Sequence, residues 1–135
     1  MVDAFDADVL IYAAMSITRG RDIMRLFEKA EPGKAIGIGS VLLLPEVLSK
    51  PQRDGSSDEY ARLQELLGHL DLIHVDRTLA QLATTFGATY HLRAADAIHL
   101  ATAVAAGADR FITNNRSDFS TEITEIDIVY PDQLA

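Results

Sequence analysis

Four acidic residues stand where apolar neighbours would bury them: Asp6, Glu46, Asp96 and Asp118. Asp6 ends the run VDAFD and precedes, after Ala7 and Asp8, the stretch VLIYAA. Glu46 interrupts SVLLLPEVLSK, Asp96 lies in LRAADAIHLATAVAAGAD, and Asp118 sits near the end of ITNNRSDF. An unpaired carboxylate in apolar surroundings is costly, so such groups are paired, metal-bound or neutralised. The chain has no Cys and no His pair at zinc-like spacing. A cluster of these acids is therefore an all-oxygen donor set, which favours hard Mg2+ or Mn2+. Such a site polarises a phosphoryl oxygen, activates water and stabilises a leaving oxygen.

Each residue also has a plainer role. A strand-end turn accounts poorly for Asp6, which reads as a metal ligand or a nucleophile. Asp8 is expected to cap a helix beginning near Val9. Glu46 is either a helix-surface residue or, given Leu44, Val47 and Leu48 around it, a cleft-lining one. Asp96 suits the first turn of a helix, where a carboxylate complements the dipole. That position also suits a cation site. His99 shares its face and reads as a packed or hydrogen-bonded residue rather than a ligand. Thr113, Asn114, Asn115 and Asp118 form either an ordinary polar turn or the acid and amides that complete a site.

The elements that must position these residues alternate. Val2–Phe5, Ala35–Gly39, Leu72–Val75 and Arg110–Thr113 read as strands, with Ile126–Val129 a candidate fifth. A helix is expected from Arg21, ended by Glu31, Pro32 and Gly33. Ser40 is expected to open a helical segment in which Pro45 marks a break, a kink or a new first turn. The stretch PQRDGSS, 51–57, reads as a loop. Ser57 is a candidate N-cap for a helix with Tyr60, Leu63, Leu67 and Leu70 on one face. Asp76 should cap a further helix, and Arg93–Ala106 should form the longest. Strands alternating with helices predict a mainly parallel sheet of about four to five strands in a three-layer α/β/α arrangement. Ligands of such sheets bind beyond the carboxyl ends of the strands, where Asp6 and Asn114–Asn115 lie.

Composition bounds the class. The 135 residues, nearly half of them hydrophobic, suit one domain, residues 1–135, with a sizeable core. The absence of Cys fits a reducing, cytoplasmic setting. Asp3, Asp6 and Asp8 interrupt the first apolar segment, so it does not read as a signal peptide. No apolar run approaches the roughly 20 residues of a membrane span. A net charge of −8 argues against a simple nucleic-acid coat protein. It leaves open an enzyme that meets phosphates through metal ions. Arg19, Arg21, Arg25, Lys50, Arg53 and Arg116 are the cations that could rim an acid cleft.

With these segments in view, the chain resembles PIN domains, and more narrowly the VapC-type toxins of bacterial toxin–antitoxin pairs. The resemblance runs essentially end to end. FDADVLIY matches the opening strand and first acid, and LLLPEVLS carries the second in Glu46. DAIHLATAVAAGAD matches the third motif through Asp96, and ITNNRSDF the fourth, with Asp118 in the acid position. Asn115 stands where many relatives carry Asp. The resemblance implies Asp6, Glu46, Asp96 and Asp118 as metal-site acids, with Asn115 beside them, and Mg2+ or Mn2+ as cofactor. It also implies cleavage of single-stranded RNA, a homodimer and a cognate antitoxin. Two other functions compete. Asp6–Ala7–Asp8 could serve a haloacid-dehalogenase-like phosphatase, although Lys50 and ITNNRSDF supply its other parts poorly. The same fold could also be a non-catalytic interaction module.

Overall fold

The computed structural model describes residues 1–15 and 18–134. Five parallel strands form one sheet in the order β3-β2-β1-β4-β5. They are β1 (Asp3–Phe5), β2 (Gly37–Ser40), β3 (Leu70–Ile73), β4 (Arg110–Ile112) and β5 (Asp127–Val129). The helices are α1 (Ala7–Ala14), α2 (Arg21–Phe27), α3 (Leu43–Asp54), α4 (Ser57–Gly68), α5 (Arg77–Tyr90) and α6 (Ala94–Ala105). The expected α/β class and parallel sheet are both present.

Alternation along the strands sorts the core into two layers, because successive side chains point to opposite faces. Ala4 and Phe111 join Ile38 on the α5–α6 side, with Phe86, Leu100 and Phe119. Phe5 and Ile112 face the other way, into a core with Val9, Leu10, Leu43 and Leu63 from α1, α3 and α4. Strands β1 and β4 are short, and the one charged residue in each, Asp3 and Arg110, pairs with the other across the ladder. The chain winds from β1 through β2 to β3 on one side, then returns to place β4 and β5 on the other. The crevice where this order reverses lies at the carboxyl ends of β1 and β4, the usual ligand position in open α/β sheets.

Several local expectations need correction. Asp6, not Asp8, caps α1, which begins at Ala7 rather than near Val9. Ser40 ends β2 instead of opening a helix; its Oγ accepts the Leu42 N–H at 3.1 Å, and Pro45 falls in the first turn of α3. There its missing N–H costs nothing, because first-turn donors have no partner within the helix. The expected loop at PQRDGSS is mostly helix, since α3 continues through the buried Pro51 to Asp54. Gly55, at φ 69°, then closes it in the left-handed conformation, with the Ser56 N–H bonded to the Pro51 carbonyl at 2.9 Å. Only Gly55 and Ser56 link α3 to α4. Ser56 rather than Ser57 holds the N-cap position, without a side-chain bond.

Helix α2 stops at Phe27, short of the Glu31–Gly33 terminator. Leu70 opens β3 instead of extending the α4 face. The longest helix is α5, with 14 residues, rather than α6 with 12. Asp76 does cap α5, accepting the Leu79 N–H at 2.8 Å. Among the described residues, no helix is long and apolar enough to cross a membrane.

Candidate active site

Asp6 leaves β1 directly into α1. Its Oδ1 accepts the Ala7 N–H at 2.8 Å, and its Oδ2 accepts the Thr113 hydroxyl at 2.8 Å. Thr113 Oγ1 in turn accepts the Asn115 N–H at 3.1 Å, so the first acid and the turn after β4 are joined through one hydroxyl. Asp6 is only 5% exposed. Burial raises its carboxyl pKa; the charge of His99 and the two hydrogen bonds oppose that rise without cancelling it.

Asp8, one residue into the first turn of α1, faces the same crevice. Both its oxygens lie 3.2 Å from the Asn114 N–H. Burial, and then the neighbouring charge of Asp6, push its pKa up to about 7. Asp96 lies in the first turn of α6, as expected. Burial first, then repulsion from Asp6 and Asp118, lift it to about 6, and Glu46 adds to the effect. Glu46 lies in the first turn of α3, with its side chain about a third exposed. Its Oε1 accepts a hydrogen bond from His99 Nε2 at 2.9 Å. A carboxylate only accepts, so this ring nitrogen carries the proton. Burial lowers the His99 pKa, but the bond to Glu46 and the charges of Asp6, Glu46 and Asp96 outweigh burial and leave it raised.

Three helices thus direct their N-terminal first turns, each carrying an acid, at one crevice: α1 with Asp8, α3 with Glu46 and α6 with Asp96. Unpaired N–H groups and the positive dipole end favour anionic side chains there. That answers how an apolar segment tolerates its carboxylates. The capping role and the functional role of Asp96 do not compete.

The fourth motif forms the rim. Asn115 Nδ2 donates to Asp118 Oδ2 at 2.9 Å, and the Ser117 hydroxyl donates to Asn115 Oδ1 at 2.9 Å. Asp118 is exposed, and its charge reaches Asp96. The loop is pinned behind by Phe119, fully buried, whose carbonyl accepts the Tyr130 hydroxyl at 2.6 Å. Asn115 and Asp118 are therefore hydrogen-bonded to each other on the same rim.

All five residues singled out in the sequence are drawn to this crevice. Among the described residues, however, no three carboxylates or imidazoles converge into a ready-made metal cage. The acids stand apart as like charges do, and Glu46 is drawn to His99. The donor chemistry still fits a hard divalent ion. It is all oxygen, and three carboxyls carry raised pKa values from burial and mutual repulsion, which a cation would relieve. Asp6 and Asp96 are the central candidates, with Glu46, Asp118 and Asp8 around them. Sequence reasoning missed Asp8, because a capping explanation was ready for it. It also missed Thr113 as the partner of Asp6. The Asp–x–Asp spacing was the available signal, since it puts the second carboxylate in the first turn beside the first.

The expected basic rim is only partly available. Arg25 pairs with Asp22 at 3.0 Å and Arg53 with Asp54 at 3.1 Å. The side chain of Arg19 lies outside the described residues. Arg116 pairs with Asp132 at 2.7 Å and lies over the Tyr130 ring, 4.1 Å from its centroid. It lines a groove of about 490 Å³ with Thr18, Asp22, Asn114, Pro131 and Asp132. Asn114 joins that groove to the acid crevice.

Two solved structures share this architecture. A chain of a toxin–antitoxin complex from Klebsiella pneumoniae is 25% identical, with a TM-score of 0.73 over 97% of this chain and 98% of that one. A chain of VapBC2 from Rickettsia felis, solved bound to a DNA fragment from its promoter, is 15% identical. Its TM-score is 0.74 over 96% of this chain and 98% of that one, a likeness of fold. No curated protein sequence matches. The PIN-domain family model matches residues 4–121, a span that takes in all four acidic motifs. The chain belongs to the PIN-domain family.

Proposed function

We propose that this protein is a Mg2+- or Mn2+-dependent endoribonuclease that hydrolyses phosphodiester bonds of single-stranded RNA, and that it is the toxin of a toxin–antitoxin pair. PIN domains are a nuclease family, and the observation that carries the reading here is the crevice itself. Carboxylates from three helix N-termini meet at the switch point of a parallel sheet, and burial, with mutual repulsion, raises the pKa values of Asp6, Asp8 and Asp96. Asp6 and Asp96, supported by Glu46 and Asp118, would hold the ion. When bound there, it would neutralise the scissile phosphate and make water a better nucleophile at neutral pH.

The chain's own residues do the rest. Thr113 orients Asp6. The paired Asn115 and Asp118 offer an amide and an acid to a water or a sugar oxygen at the rim. Arg116, paired with Asp132, would exchange it for an RNA phosphate. The family match over residues 4–121 favours the nuclease over a phosphatase using Asp6 as nucleophile. An antitoxin partner is supported by the Klebsiella likeness, which spans nearly the whole of both chains. A homodimer belongs to the same proposal.

The test uses an RNA carrying a 2′-deoxy substitution at the cut site. Cleavage should persist with Mn2+, leave a 5′-phosphate and a 3′-hydroxyl, and stop in EDTA or with Asp6→Asn. A 2′,3′-cyclic phosphate, or activity surviving EDTA, would overturn the mechanism.

A further inference from the structure

His99 is buried in α6, with its side chain 1% exposed, yet it is polar and incompletely satisfied. Its Nδ1 is buried without a hydrogen-bond partner. Leaving such a group unpaired is costly, and an apolar side chain of similar volume would avoid the cost. Among the described residues, the bond from Nε2 to Glu46 Oε1, at 2.9 Å, is the hydrogen bond this ring makes. The reason for an imidazole here therefore lies at Glu46. Glu46 needs such a partner. It projects from the first turn of α3 with a third of its side chain in solvent, and a free glutamate there would sample several rotamers.

We propose that His99 is a positioning residue for Glu46, holding one carboxylate oxygen so that the other faces Asp6 and Asp96. The same residue ties two helices together at the site. Asp96 lies one turn before His99 on α6, so the bond fixes the second acid on α3 relative to the third on α6. A ligand's hydrogen-bond partner acts in this way by choosing the rotamer the metal meets. The inference rests on the reading of Glu46 as a metal-facing acid.

The experiment is titration of the full chain with Mn2+, following free ion by electron paramagnetic resonance, with thermal melting as a check on folding. His99→Leu should weaken Mn2+ binding about tenfold or more. His99→Gln, whose amide N–H reaches the Nε2 position, should restore affinity to within about threefold of wild type. His99→Asn stops at the Nδ1 position and should bind weakly, like His99→Leu; it keeps the comparison alive if the leucine variant fails to fold. In a Glu46→Gln background, His99→Leu should add little further loss. The inference is overturned if Glu46→Gln weakens binding while the His99 variants match wild type, or if the His99→Leu loss persists in full in the Glu46→Gln background. If wild type binds no Mn2+, or Glu46→Gln binds as wild type does, the metal-site reading itself fails, and the role of His99 falls with it.

Discussion

At the residue scale, the carboxylates of the crevice are held by two opposing influences. Helix N-termini and hydrogen bonds favour the charged forms, while burial and mutual repulsion disfavour them. For Asp6, Asp8 and Asp96 the second influence prevails, because each has a raised pKa. The sign of the consequence is fixed. An acid whose folded pKa exceeds its unfolded value binds more protons when folded. Its stabilising contribution is complete below the unfolded pKa of about 3.8 and is lost as pH rises through the folded pKa. Asp96 loses it near pH 6 and Asp8 near pH 7. The raised His99 acts in the same direction. In EDTA the protein should lose on the order of 2 kcal/mol of stability between about pH 5 and about pH 8, a figure discounted for the solvent near Asp96. Asp8→Asn and Asp96→Asn should flatten that slope and match or exceed wild-type stability at neutral pH. Asp6→Asn should behave likewise, since an amide oxygen can still accept the Ala7 N–H. Melting temperatures across pH in EDTA measure all of this; a fall of several degrees in these variants at pH 7.5 would mark the acids as structural.

At the element scale, the site depends on how closely β1 and β2 approach. Gly37 of β2 lies against β1: a Cβ added there would come within 2.8 Å of the Phe5 ring and closer still to the Asp3 carbonyl oxygen. The Asp3 backbone is fixed by its strand pairing with Arg110, reinforced by the two-pronged Asp3–Arg110 ion pair at 2.8 and 2.9 Å. Overpacking against an immobile backbone costs about 1–3 kcal/mol or more. Gly39, two residues on, would press on Leu43 Cδ1, the far end of a side chain rather than backbone, with Leu72 Cδ2 at ordinary contact distance. Gly37→Ala should therefore destabilise the protein clearly more than Gly39→Ala in urea unfolding, and equal costs would contradict this account of strand packing. The same logic explains why PQRDGSS misleads as a sequence. Its Pro, Gly and Ser are loop-like in composition, yet burial of the Pro51 ring and the left-handed cap at Gly55 keep most of it helical.

At the scale of the whole molecule, the surface decides what can assemble. The apolar face with Tyr60, Leu63 and Leu67 is, from sequence, a candidate contributor to the homodimer that the resemblance implies. These residues pack instead into the α1–α3–α4 core, with Leu63 wholly buried. Leu63 and Leu67 are therefore not available to a dimer face, whereas Leu44, 38% exposed on α3, is a large apolar side chain still open to solvent. Light scattering at micromolar concentration should give twice the chain mass of 14.7 kDa, and substitutions at Leu63 should reduce stability without selectively dissociating the dimer. A monomer at that concentration would remove the dimer from the proposal. With a net charge of −8, the protein as a whole repels RNA. On the proposed function, attraction would be local, at the acid crevice once a cation is bound and at Arg116 in the adjoining groove.

The sequence by itself determined the class of fold, because the alternation of apolar runs with amphipathic stripes admits little besides a parallel sheet covered by helices. It also singled out Asp6, Glu46 and Asp96, because a carboxylate flanked by apolar residues is conspicuous wherever the chain goes, and Asp118 through its motif, since its preceding residues are polar and it is exposed. Tertiary structure alone decided where each acid is placed and what it bonds. Which of Asp6 and Asp8 caps α1 depends on where β1 ends, and that is fixed by pairing with β4, over a hundred residues away. Whether His99 is filler or a partner depends on α3 and α6 meeting at 2.9 Å, a contact between residues 53 positions apart. Periodicity reports which face of an element is buried; it carries no information about which other element will cover that face, and the chemistry of this site arises where such faces meet.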